Sequence, residues 1–142
     1  MKPVYHTVIS VAISGILHLI FRSWGLTIAS LISGIFIDLD YAVDYLTQCG
    51  FPFKIKRLYQ SYYENQLLRV RLFHGWEWSF FWGLTAWMTD WNPWIIGIWV
   101  GFSQHIFLDN INNRESFWSY SFFWRWKKGF KPEAIFKQEF YP

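Results

Sequence analysis

The chain alternates between long apolar runs and short polar breaks. Residues 3 to 21 contain no Asp, Glu, Lys or Arg, and Arg22-Ser-Trp-Gly25 then makes a short turn. A second charge-free run, Leu26 to Ile37, is rich in small residues (Ala29, Ser30, Ser33, Gly34) and stops at Asp38. Small residues of this kind let two helices approach closely. Trp76 to Met88 is a third apolar run, broken only by Glu77, and Trp94 to Leu108 is a fourth, entered through the turn Thr89-Asp90-Trp-Asn-Pro93. Proline suits the first position of a helix, where no amide hydrogen is needed. The pattern predicts an all-α fold, an antiparallel bundle of about four apolar helices in a single domain spanning 1–142.

Two stretches break the pattern. Residues 41–73 form a polar, basic and Tyr-rich connection between the second and third apolar runs. Within it Leu68-Arg-Val-Arg-Leu72 alternates with period two and is predicted to be extended. Residues 113–142 form an aromatic and basic tail in which Trp118, Phe122, Trp126 and Phe130 recur every four residues. That spacing predicts one face of a helix lying at a membrane interface. Stacking on single-stranded nucleic acid uses similar residues, but no nucleic-acid fold motif accompanies them, and no nucleic-acid partner is expected.

Composition and charge sharpen the environment. The 142 residues are 53% hydrophobic and 24% aromatic, with 11 Trp and only 16% charged. Ordinary soluble domains carry about 25% charge. The lone Cys49 excludes an internal disulfide framework, and no cleavable leader is read at the N-terminus. If the four helices alternate in direction, every Lys and Arg except Arg22 falls on one side: Lys2, Lys54, Lys56, Arg57, Arg69, Arg71, Arg114, Arg125, Lys127, Lys128, Lys131 and Lys137. Such asymmetry is what the positive-inside rule produces. The expectation is a multi-pass protein of the inner, cytoplasmic membrane. A full crossing needs about 20 apolar residues, and the second and third runs are shorter.

The candidate chemistry lies at the helix ends. His6 precedes most of the first run, Asp38 and Asp40 follow the second, His74 and Glu77 open the third, and His105 and Asp109 close the fourth. In an up-and-down bundle those four ends share one face, here the cytoplasmic one. His74 and Glu77 are three apart and His105 and Asp109 four apart, spacings that place each pair on one side of a helix. Carboxylates at helix C-termini oppose the dipole and call for a cation. A metal supplies one; Arg or Lys of the basic connection is the structural alternative. His6, Asp38, His74, His105 and Asp109 are therefore the candidate ligands of a divalent metal, zinc first, with manganese or iron as alternatives. Asp40 reads as a bridging or supporting carboxylate. Glu77 or Asp40 is the candidate proton acceptor for a metal-activated water, the bland role of Glu77 being to favour its helix dipole. His18 is read as a packed, hydrogen-bonded residue and Asp44 as part of a solvated helix face.

The order of motifs resembles the YdjM-like family of small integral membrane proteins, predicted metal-dependent hydrolases. The matching text is His6-Thr7, Gly34-Ile-Phe-Ile-Asp38-Leu-Asp40, Phe73-His74-Gly75 and Ser103-Gln-His105-Ile-Phe-Leu-Asp109, covering roughly residues 5 to 112. The chain departs from the family pattern at Ile37, Tyr41 and Arg69, where relatives carry Pro, His and an earlier His. The resemblance implies a membrane-bound, metal-dependent hydrolase. With the basic residues Lys54, Lys56, Arg69 and Arg71 on the same side, a phosphoester or lipid ester is the expected substrate class. A non-catalytic membrane scaffold and a metal or ion carrier are the rival readings.

Overall fold

The structure, a computed structural model, describes residues 3–51, 54–63, 70–112 and 116–135. It is all-helical among those residues. The long helices are α1 (Pro3–Phe21), α2 (Trp24–Phe36), α5 (Trp76–Met88) and α6 (Pro93–Asn112). Between them lie α3 (Leu39–Cys49) and α4 (Ile55–Tyr63), and the C-terminal segment holds a 3-10 turn (Phe117–Tyr120), α7 (Phe122–Lys127) and α8 (Pro132–Ile135).

Local chemistry explains several of these boundaries. Ser23 caps α2, its hydroxyl accepting the Leu26 amide at 3.4 Å. Asn92 does the same for α6 through the Trp94 amide at 3.0 Å, and Pro93 occupies the first turn. Only the two-residue turn Ile37–Asp38 separates α2 from α3, so Trp24–Cys49 forms a 26-residue helical run. Among the described residues it is the one run long and apolar enough to cross a membrane; His6–Phe21 is apolar but shorter.

Contacts fix the topology. Ser14 meets Ser30 and His18 meets Thr27, so α1 and α2 are antiparallel. His6 meets Asp109 and Ser10 meets Gln104, so α1 opposes α6 as well. Ser79 and Ser103 join α5 to α6, also antiparallel. The closest packing is between α2 and α6, which run parallel. A Cβ on Gly97 would come within 2.5 Å of the Leu26 carbonyl oxygen, and one on Gly101 would collide with the Ser33 hydroxyl and the Ser30 carbonyl. The four-residue glycine spacing on α6 thus lets its backbone touch that of α2, as small-xxx-small pairs do.

The interior is unusual in what it buries. Ser10, Ser14, Ser30, Ser33, His6, His105 and Asp109 face inward, while Val8, Val11, Ile16, Leu19, Ile28, Ile32, Phe80, Leu84, Trp87 and Phe107 point out. Polar groups pair inside and apolar side chains cover the outside of every long helix.

Some expectations are corrected. Asp44 is buried rather than solvated: its carboxylate accepts the Arg71 amide at 3.2 Å. Asp40 and Asp44 lie one turn apart on α3, which turns both toward the same neighbour. Of the segment predicted to be extended, residues 64–69 lie outside the described part, and Val70–Leu72 is irregular chain in which Arg71 takes a positive φ of 42°. The tail is not one helix. Ser121 ends the 3-10 turn and caps α7, so the four-residue aromatic spacing does not line a single face. Trp118 and Trp126 are exposed, but Ser119, Tyr120 and Arg125 are buried against the bundle.

Candidate metal centre

The bundle brings His6, Asp38, Asp40, His74, His105 and Asp109 together at one end. Helix direction does most of the work: α1 and α5 start there, and α2 and α6 end there. His74 itself lies on the irregular chain just before α5, whose N-terminal cap is Gly75.

Two imidazoles are held by one ring nitrogen so that the other faces inward. His105 Nδ1 donates to the Gly34 carbonyl at 2.7 Å. His74 Nδ1 is 3.1 Å from Asp40 Oδ2, which also accepts the Phe73 amide at 2.5 Å and the His74 amide at 3.0 Å. A metal-ligating histidine is normally fixed in this way, through a carbonyl or carboxylate on its second nitrogen. The inward atoms, His74 Nε2 and His105 Nε2, are buried and have no hydrogen-bond partner. Buried polar atoms of that kind are rare and costly.

Carboxylate oxygens surround these two nitrogens. Asp38 Oδ1 is 3.4 Å from His105 Nε2 and 3.9 Å from His74 Nε2. Asp109 Oδ2 is 3.9 Å from each of the same nitrogens. A tetrahedral zinc, with ligand bonds of about 2.0–2.2 Å, separates neighbouring ligand atoms by roughly 3.3–3.6 Å. The Asp38–His105 separation falls within that spacing, and the other three histidine–carboxylate separations exceed it by about 0.3 Å or more.

His6 adds a second grouping. Its Nε2 is 2.9 Å from Asp109 Oδ1, its ring stacks on that of His105 at 4.1 Å, and its buried Nδ1 has no hydrogen-bond partner. Both His6–His105–Asp109 and Asp38–His74–His105 offer ligand atoms close enough to hold an ion. His105 has already given Nδ1 to Gly34, so its single remaining nitrogen can serve only one ion at a time.

Electrostatics favour a cation. Burial holds the His74 imidazole well below the usual histidine range, so it is neutral and its inward lone pair is available. Among the described residues the basic side chains within 4 Å of the Asp38 carboxylate are the His74 and His105 rings, not Lys or Arg. The helix-dipole argument changes in one respect. Asp38 and Asp40 end α2 but also begin α3, whose N-terminus favours them. For Asp40 the balance is met by amides, whereas Asp38 and Asp109 each lie within 4 Å of histidine nitrogens.

Glu77 does not join the cluster. Its carboxylate accepts the Ser121 hydroxyl at 2.6 Å and the Phe122 amide at 3.1 Å, holding the start of α7. Arg71 is buried with its guanidinium 4.8 Å from the Tyr41 ring centre, so it is not an open anion contact; Arg69 lies outside the described residues. Lys54, Lys56 and Arg57 are exposed. His18 is bonded to Thr27 Oγ1 at 3.0 Å, far along α1 from the site.

Sequence reasoning missed Arg125. It is buried, its Nη2 donates to the His74 carbonyl at 2.8 Å, and burial lowers it to about 10, still charged at neutral pH. Nothing local in Trp124-Arg-Trp126 marks it out from the other tail cations.

These residues could hold a metal ion; the comparisons supply no identity to go with it. No family model matches the chain, and neither a curated protein nor a solved structure matches it.

Proposed function

We propose that this chain is a membrane-embedded, metal-dependent hydrolase working at the cytoplasmic face on an ester, with phosphoesters or lipid esters as the class to try first. The observation that carries the reading is the pair of buried, unpartnered Nε2 atoms of His74 and His105, each fixed from behind and each facing Asp38 and Asp109. In this reading Asp38, His74, His105 and Asp109 bind one divalent ion, zinc before manganese or iron. His6 is either a fifth ligand or the group that orients Asp109 through its 2.9 Å contact. An ion bound there would lower the pKa of its water to about 7 and so supply a nucleophile at neutral pH.

The chain's own groups divide the remaining tasks. Asp40 acts through His74, fixing its tautomer. Asp38 is the site's partly open carboxylate, with 19% of its side chain exposed where the other cluster members are sealed. Water and substrate enter beside it; Glu77, which is taken by α7, is not placed to accept a proton there. The inward polar and outward apolar surfaces support the membrane part, and intramembrane ionisable groups commonly mark function. The order of motifs that resembles the YdjM-like family agrees with this assignment.

Metal analysis of the purified full chain, followed by hydrolysis of a chromogenic phosphodiester, tests the proposal. The expected result is about one transition metal per chain and turnover that is lost with chelator and in His105→Ala. A metal-free protein indifferent to chelator favours a scaffold. Bound metal with vesicle uptake and no turnover favours a carrier, for which the polar interior of α1, α2 and α6 would be the specific support.

A further inference from the structure

We infer that the C-terminal segment is part of the metal centre, and that Arg125 is a positioning residue for the ligand His74. This rests on the metal reading above. Three contacts carry it. Arg125 Nη2 holds the His74 carbonyl at 2.8 Å, and Arg125 Nε reaches back to the Ser121 carbonyl at 3.4 Å. Ser121 Oγ and the Phe122 amide both bind Glu77, three residues beyond His74. Helix α7 therefore grips the His74–Glu77 stretch at both ends.

His74 needs such a grip. It lies on irregular chain, not in a helix, so no helical ladder sets its position. Asp40 holds its amide and Nδ1 from the α3 side. That leaves the carbonyl, and with it the rotation of the peptide that carries the ring, to Arg125. A Cβ at Gly75 would come within 2.6 Å of Glu77 Oε2, so the chain passes directly under the latch. Burying a guanidinium costs heavily unless it is bonded, and this one is 1% exposed. A tail serving only as a lipid anchor has no need to send a cation inside.

The experiment uses the full chain in detergent, stripped of metal and titrated with Co²⁺, reading the visible absorption of the bound ion. Wild type is expected to bind Co²⁺ with a spectrum sensitive to His74. Arg125→Met is expected to weaken binding about ten-fold or more and to change the spectrum. Arg125→Lys, which keeps one donor for the carbonyl, is expected to recover part of both. Trp126→Ala, an exposed neighbour on the same helix, is expected to leave both unchanged. Should Arg125→Met fail to fold, Arg125→Lys and Ser121→Ala carry the test, with weakened Co²⁺ binding of the folded protein as the supporting result. Wild-type affinity and spectrum in the folded Arg125 variants overturn the inference while leaving the metal centre standing. Failure of the wild type to bind Co²⁺ overturns both, and the two failures are thereby told apart.

Discussion

His6 and His18 lie on the same helix, twelve residues apart, and the molecule uses them in opposite ways. His18 gives Nδ1 to the Thr27 hydroxyl at 3.0 Å and packs its ring against Trp24 at 4.4 Å. It is half-buried and its demands are met locally. His6 stacks on His105, touches Asp109, and keeps a buried Nδ1 without a partner. Between them Ser10 and Ser14, at four-residue steps, make neutral hydroxyl contacts to Gln104 and Ser30. A histidine on an apolar helix is thus no signal by itself. What separates the two ends is that ring nitrogens at one of them lack partners while carboxylates crowd around.

The comparison breaks most sharply if the wrong histidine matters. His74→Ala and His105→Ala are expected to lower metal affinity more than about 100-fold, exceeding the loss typical of supporting residues. His18→Ala is expected to leave metal binding alone; equal losses at both ends, measured by metal titration, would remove the distinction. Next in size is Asp40→Asn, which keeps the shape but not the charge behind His74. Its expected cost is about 10–100-fold in metal affinity with the fold retained. An unchanged affinity would show that the amides of Phe73 and His74 are all that Asp40 serves.

Acid should act on the site end in a definite direction. The folded protein keeps His74 neutral below the ordinary histidine value, whereas the unfolded chain protonates it near 6.5. The unfolded state therefore binds the extra proton first. The metal-free protein holds this contribution in full above about pH 6.5 and loses it as pH falls from there toward the folded-state value. Denaturant midpoints of metal-free wild type and His74→Gln at pH 7.5 and 5.5 measure it: the variant's acid loss should be smaller. The smallest effect is expected at the far end, where His18→Gln removes one hydrogen bond and should cost about 1 kcal/mol of stability, with no change in metal affinity.

Much of the site was legible in the chain because its logic is one of helix direction. Four apolar runs with ligands at alternate ends can gather them in only one way, so His6, Asp38, His74, His105 and Asp109 fall together once the runs alternate. The small residues of the second run likewise forecast a close seam. What was hidden depends on contacts between distant segments. Arg125 meets His74 across 51 residues and Glu77 meets Ser121 across 44, and no periodicity reports such pairs. The break in the tail did leave a trace: Ser121 is a residue type that caps helices, and its hydroxyl accepts the Trp124 amide. Asp44 left one as well, since its four-residue offset from the buried Asp40 puts both on one face. The even spacing of the tail aromatics outweighed the first signal, and the acidic character of the stretch outweighed the second.

Gly34 has a consequence of a different kind. Its missing side chain leaves room that Ser10 and Gln104 occupy, with a hypothetical Cβ 2.7 Å from the one and 2.8 Å from the other, and its carbonyl orients His105. One residue is therefore both a hinge-pin of the helix seam and a fitting of the site. For His105, whose ring hangs from the Gly34 carbonyl, position in the site follows how closely the backbones of α2 and α6 approach. A drift in helix register of even a fraction of a turn would shift the His105 ring relative to Asp38 and Asp109 before it loosened the fold. Gly34→Ala is the substitution in which that order of failure can be watched.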